Sequence, residues 1–142
     1  MSRPFVSVFI AQSLDGHIAR EDGAIDWLDC VSMPGEDYGY QAFHAQVDTL
    51  VIGRKTYDTV LAFPEWPFDG KRVVVLTHRG IAPHHGERAH AGALAPLLAT
   101  LHAEGARHVY LDGGMAIREG LAENVVDEMI LSTVPVLLGR GR

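Results

Sequence analysis

Five short apolar stretches, each ending at a turn-forming residue and separated by helical patterns, leave this chain few folds to adopt. Phe5–Ala11, Thr49–Ile52, Arg72–Leu76, His108–Leu111 and Val126–Val134 are rich in β-branched and aromatic residues and read as strands. Between them, Asp37–Val47 reads as a helix with Tyr40, Phe43 and Val47 on one face. Lys55–Ala62 reads as a short helix that Pro64 and Pro67 prevent from continuing. Leu94, Leu97, Leu98 and Leu101 follow the i, i+3, i+4, i+7 spacing of a buried helix face, with Pro96 tolerated in the first turn. Met115–Ala122 is a further short helix. Leu14–Gly23 and Thr77–Ala91 read as loops, the second with a short strand near Arg88.

Strand and helix thus alternate along the whole chain. That order implies an α/β fold with a largely parallel sheet and helices on both faces. The chain has 142 residues, enough for a single domain over 1–142 with one core. Ligands of such sheets bind beyond the carboxyl ends of the strands. The loops after Ala11, Ile52, Leu76 and Leu111 are therefore the places to look for chemistry.

Two of those ends share one logic. Gly53-Arg54-Lys55-Thr56 and Gly113-Gly114 each put glycine between a strand and a helix. Glycine lets a ligand approach the backbone, and the next helix offers free N–H groups to an anion. Glycines after strands also simply turn the chain, so each site alone is weak and the pair is worth more. A third end, Leu76-Thr77-His78-Arg79-Gly80, collects a hydroxyl, an imidazole and a guanidinium suited to a phosphate. A solvated turn is the competing reading there. No G-x-G-x-x-G or G-x-x-x-x-G-K-[ST] pattern occurs, so Rossmann and P-loop readings fail.

Composition narrows the classes further. The formal charge is −6, which supplies no basic field for nucleic acid. The one cysteine, Cys30, allows neither an internal disulfide nor a cysteine zinc cluster. His84, His85 and His90 lack the spacing of a helical metal pair, and no metal is expected. The apolar stretch at Phe5–Ala11 is short for a signal peptide and no run is long enough to span a membrane, so a cytoplasmic protein is expected. No G-x-S-x-G elbow supports a hydrolase.

Four segments in order resemble a known family. Phe5–Gly16, Asp48–Tyr57, Val73–Thr77 and Val109–Gly114 are similar to the strands and turns of dihydrofolate-reductase-like proteins. The resemblance is strongest to the reductase domain of bifunctional riboflavin-biosynthesis deaminase/reductases, and to small stand-alone members of the same group. It implies a three-layer αβα dihydrofolate-reductase-like fold with a mostly parallel central sheet. The family's usual final strands have no counterpart before Arg142, and they are expected to be absent from this chain.

The resemblance also implies NADPH as cofactor and hydride transfer to a pterin-like or aminopyrimidine substrate. Cofactor contacts are then expected from Ala11, Gly16 and Ile18 in the first loop, and from Gly53, Arg54, Lys55 and Thr56 in the second. Leu76, Thr77, His78 and Arg79 would meet an adenosine 2′-phosphate, and Gly113, Gly114 and Met115 the pyrophosphate. Asp37 lies where folate-reducing relatives carry the acid that grips the pterin, and it is the candidate catalytic residue, facing inward at the start of its helix. An acid there is equally a helix cap. Trp27 and Tyr40 are candidate substrate contacts, although ordinary core packing accounts for Trp27 as well.

Related reductase domains commonly dimerise, so a homodimer is expected. The deaminase signatures H-x-E and P-C-x-x-C are missing, which excludes that activity from this sequence. Asp112 stands where family members often have Glu before the glycine pair. A nucleotide-binding protein of the same fold with little turnover is the alternative.

Overall fold

A computed structural model describes residues 3–142. The strands are β1 (Phe5–Ser13), β2 (Thr49–Gly53), β3 (Arg72–Leu76), β4 (Arg88–His90), β5 (His108–Asp112) and β6 (Glu128–Val134). The helices are α1 (Tyr40–Gln46), α2 (Arg54–Leu61), α3 (Leu94–Ala103) and α4 (Gly114–Ala122), with a 3₁₀ turn at Asp26–Val31. The strands form one sheet in the order β4-β3-β2-β5-β1-β6, and every pairing is parallel.

Period-two alternation divides the core between two faces of this sheet. Val6, Val8, Val51, Val74, Val109 and Leu111 pack with the leucines of α3 and with Ala116 and Ile117 of α4. Leu50, Ile52, Val73, Val75 and Tyr110 point the other way, against Phe43 of α1 and Tyr57 and Val60 of α2. The result is the three-layer αβα arrangement expected from the sequence, because central parallel strands must be covered on both sides.

Local chemistry sets where the helices start. Gly53 ends β2 and is also the residue before α2, so strand and helix join without a loop. The α3 N-terminus has no capping side chain of its own, and the Glu123 carboxylate beyond α4 accepts the Leu94 and Ala95 N–H groups instead. α1 begins three residues later than its apolar pattern suggests. Gly39 there has φ 87°, a backbone angle that favours glycine, and the Asp37 carboxylate accepts the N–H groups of Gly39 and Gln41 at 3.0 and 2.8 Å. The 3₁₀ turn carrying Trp27 has no clear periodicity and was not legible from the sequence.

The two sheet edges differ. β4 has three residues, and Arg88 makes a two-pronged ion pair with Glu104 of the α3 C-terminus. β6 has seven residues and leaves Met129, Ile130 and Leu131 exposed. No helix among the described residues is long and apolar enough to cross a membrane.

Candidate active site

β5 inserts between β1 and β2, so the strand order changes direction at the carboxyl ends of these three strands. The two glycine-bearing ends therefore become neighbours. A β-carbon on Gly113 would sit 3.5 Å from the Gly53 nitrogen and 2.6 Å from Thr56 Oγ1, and Gly113 has φ 95°. Gly113 is fixed as glycine by its angle and by α2 packing against it. Gly53 is different. Its φ of −72° is open to any residue, and a β-carbon there would meet nothing within 4 Å. Neither strain nor crowding explains that glycine, which fits a ligand passing close over the backbone.

Beside it, β2 and β3 pair with Gly53 opposite Leu76. Arg54 reaches from α2 toward the β3 loop, donating from Nε to Asp58 at 3.0 Å and from Nη1 to the Gly80 carbonyl at 3.4 Å. The loop is turned by the Arg79 N–H donating to Thr77 Oγ1 at 3.1 Å. His78 and Arg79 are exposed, and neither pairs with a carboxylate among the described residues. This cationic rim has the donors that a nucleotide phosphate requires. Met115 is the second residue of α4 and is 69% exposed.

The first loop lies on the glycine pair. A β-carbon on Gly114 would approach Ile18 Cδ1 at 3.2 Å. That loop is held by the segment after β6. Leu14 N–H donates to the Val136 carbonyl, Ile18 N–H to the Arg142 carbonyl, and Arg142 N–H to the Ala19 carbonyl, each at 2.8 Å. The Asp15 carboxylate accepts Leu138 and Gly139 N–H and the Ser13 hydroxyl, and these bonds lower its pKa below the usual carboxylate range. Gly16, with φ 86°, turns the loop in open space. Ala11 is half-buried in the last part of β1, opposite Ser132 of β6.

On the α1/α2 side of the same sheet end lies a cleft of about 350 Å³. Tyr40, Lys55, Thr56 and Asp112 supply its polar lining. Val60, Phe63, Pro67 and Phe68 form an apolar wall, and Gly23 and Arg142 border it from the first loop and the tail. Asp112 faces this side because it follows Tyr110 by two residues on β5. It is half-buried, and one oxygen accepts its neighbour's Gly113 N–H at 2.9 Å. Burial pushes its pKa upward, only partly offset by that bond. Burial, and then Asp112, push the Tyr40 hydroxyl up, and the same two influences act on Tyr110.

Most of the expected site residues therefore fall into two groups. Tyr40, Lys55 and Thr56 line the cleft. Gly53, Arg54, Leu76, Thr77, His78, Arg79, Gly113, Gly114, Met115, Gly16 and Ile18 cluster along the strand ends and the loop above them. Asp37 and Trp27 join neither group. Asp37 does not face inward: it is exposed, and its backbone hydrogen bonds hold its carboxyl below the usual range. Trp27 is buried with its Nε1–H unpaired among the described residues. The acid that does face the cleft, Asp112, was legible only as a departure from a family pattern. Its place at the end of β5, in step with Tyr110, was the signal that could have found it. The histidines of the β3–β4 loop have a structural explanation. His85 stacks on Trp66 with ring centres 4.2 Å apart, and His84 and His85 N–H both donate to the buried Glu87 carboxylate. Glu87 also accepts the Tyr57 hydroxyl, which is pushed up to about 12 by burial and that bond.

This architecture has known counterparts. The chain is 38% identical over 138 residues to the uncharacterized protein YwjB of Bacillus subtilis (strain 168), covering 94% of this chain and 78% of that one. The crystal structure of a candidate riboflavin biosynthesis protein of Shewanella sp. PV-4 superposes with a TM-score of 0.87 at 40% identity, over 96% of this chain and 80% of that one. A dihydrofolate reductase of Enterococcus faecalis, solved with NADP(H) and RAB-propyl, shares the fold with a TM-score of 0.63 at 20% identity, over 94% of this chain and 72% of that one. Residues 4–142 match the family described as the RibD C-terminal domain, and the chain belongs to that family.

Proposed function

We propose that this protein is an NADPH-dependent reductase acting on an aminopyrimidine or pterin-like ring, of the kind found in riboflavin precursors such as 5-amino-6-(5-phosphoribosylamino)uracil. The observation that carries the reading is the half-buried carboxyl of Asp112 lining the cleft, next to the glycine turn Gly113–Gly114. NADPH, when bound, supplies the hydride. Arg54, Thr77, His78 and Arg79 would hold its terminal phosphate. Gly53, Gly113 and Gly114 would let its pyrophosphate lie against the backbone, under Ile18 and the Gly16 turn.

The chain's own chemistry then concerns the ring in the cleft. Its apolar wall, Val60, Phe63 and Phe68, suits a flat heterocycle, and Thr56 and Tyr40 offer hydroxyls at its edge. A carboxyl whose neutral form is favoured by burial can donate a hydrogen bond, and then a proton, to the nitrogen or oxygen that gains charge as hydride arrives at the C=N or carbonyl carbon it is bonded to. Asp112 takes that role in our reading. Asp37, exposed and occupied in capping α1, is assigned the stabilising one.

The test is NADPH consumption by the purified chain, first with dihydrofolate and then with 5-amino-6-(5-phosphoribosylamino)uracil. Turnover with the second substrate is expected. Tight NADPH binding without turnover on either would favour the non-catalytic nucleotide-binding alternative. We further propose a homodimer, on the exposed Met129-Ile130-Leu131 run along an edge strand whose outer backbone groups favour pairing with another chain. A solution mass of 15.5 kDa at micromolar concentration would refute that assembly.

A further inference from the structure

Glu87 is the one carboxylate buried among the described residues, and it makes no ion pair with any of them. Burying a lone charge is costly unless hydrogen bonds replace its water. Burial favours the neutral acid here, yet the bonds the carboxylate accepts outweigh it and hold the pKa below the usual range. Those bonds come from two elements. Oε2 accepts the Tyr57 hydroxyl of α2 at 2.8 Å, and Oε1 accepts the His84 and His85 N–H groups at 3.0 and 2.6 Å. Both histidines belong to residues 77–87, which form no helix or strand between β3 and β4. Such a segment has no ladder for its own N–H groups, so its course depends on acceptors elsewhere. Glu87 supplies the acceptor for two of them, and α2 fixes Glu87. The same helix holds the loop again where Arg54 Nη1 donates to the Gly80 carbonyl at 3.4 Å, and Ile81 packs against the cluster that contains Tyr57. Thr77, His78 and Arg79 are thus carried on a loop whose shape α2 sets, in good part through one carboxylate.

We infer that Glu87 is a positioning residue: with Tyr57 it fixes the β3–β4 loop on α2 so that His78 and Arg79 stand ready for a phosphate, and it thereby sets a preference for NADPH over NADH. The inference rests on the cofactor reading given above. Glu87 itself is buried and acts only through the loop. Ordering the loop in advance removes that entropic cost from binding. A loop released from Glu87 would have to be ordered by the ligand, and the affinity gained from a 2′-phosphate would shrink. NADH carries no such phosphate, so its affinity should hold. A role in the fold alone predicts the opposite pattern, with stability lost and the choice between the two cofactors unchanged.

The experiment compares Glu87→Leu, Glu87→Gln and Tyr57→Phe on the full chain. Dissociation constants are measured for NADPH and NADH, and amide hydrogen exchange is followed over residues 78–86. Glu87→Leu removes every acceptor. The preference for NADPH should fall about ten-fold or more, as for loss of a charge-assisted phosphate contact. Exchange should quicken in the loop while β2 and β5 stay protected. Glu87→Gln keeps an oxygen for both N–H groups, and the Tyr57 hydroxyl can turn to accept from the new amide, so most of the preference should return. A lower Tm in Glu87→Leu with the preference intact, or an equal loss of affinity for both cofactors, overturns the inference. If Glu87→Leu does not fold, Tyr57→Phe decides. It frees the carboxylate from α2 and should give the same changes at smaller size, whereas wild-type preference and wild-type loop exchange overturn the role. Should the wild-type protein bind neither cofactor, the NADPH reading falls. Loop exchange then judges the positioning by itself: faster exchange in the variant upholds it, and unchanged exchange overturns it.

Discussion

The carboxyl ends of β2 and β3 and the carboxyl end of β5 lie side by side in one sheet, yet their electrostatics are opposite. The first region is open and cationic: Arg54, His78 and Arg79 sit at or near the surface around a glycine with free space above it. The second is walled by aromatic and aliphatic side chains and holds one acid whose charge is disfavoured by burial. Solvent makes the difference. A guanidinium at the surface keeps its hydration and waits for an anion, whereas a carboxyl beside Tyr40 and Tyr110 gives up water and leans toward its neutral form. One end is suited to holding a phosphate and the other to giving a proton.

The largest expected effect comes from removing the acid. Asp112→Asn should lower kcat by about 10²- to 10⁴-fold, as for loss of a general acid, with NADPH affinity retained. Steady-state kinetics with a parallel cofactor titration check both halves. Stability should move the opposite way. Because the folded-state pKa of Asp112 is raised, its stabilising contribution is complete below the unfolded value and is lost as pH rises through the folded value. Asp112→Asn should therefore melt above the wild type at neutral pH, and the gain should vanish in acid. An unchanged kcat would erase the contrast between the two regions.

Next is the cationic end. Arg79→Ala should weaken NADPH about ten- to a hundred-fold, the worth of one charge-assisted phosphate contact, and leave NADH nearly unchanged. Equal losses for both cofactors would mean that Arg79 does not meet the 2′-phosphate.

Gly114 lies on the border between the regions. Its backbone angle is ordinary and its one close neighbour is the flexible tip of Ile18. Gly114→Ala should fold with little change in Tm and bind NADPH about ten-fold more weakly. A lower Tm with normal cofactor binding would show that the glycine serves the fold alone.

The smallest effect belongs to the acid outside both regions. Asp37→Ala removes the α1 cap, so Tm should fall modestly while kcat/KM stays within about two-fold, as for surface positions away from the chemistry. The folded-state pKa of Asp37 is lowered, so its stabilising contribution is present above the unfolded value and is lost as pH falls through the folded one. The Tm difference should therefore close in strong acid, the reverse of the Asp112 pattern. A large loss of kcat in Asp37→Ala would return the catalytic role to that residue.

Sequence order alone favoured Asp37, because it precedes an apolar helix pattern at the distance the family resemblance suggests. Nothing local to Asp37 says that Gly39 will take a left-handed angle and turn the carboxylate back onto the backbone as a cap. Nothing local to Asp112 says that α1 and α2 will cover its face of the sheet. Arg142 was equally opaque. Its position depends on bonds to Ile18 and Ala19, more than a hundred residues earlier, in a segment also tied down by Asp15.

The sequence by itself determined the alternating elements, the parallel sheet and the glycine-marked strand ends, because periodicity, β-branching and glycine act over a few neighbouring residues. The tertiary structure decided which acid loses water, which cations border the cleft and which segment clamps the first loop. Burial, desolvation and long-range hydrogen bonds belong to residues that meet only when the sheet is assembled with β5 between β1 and β2.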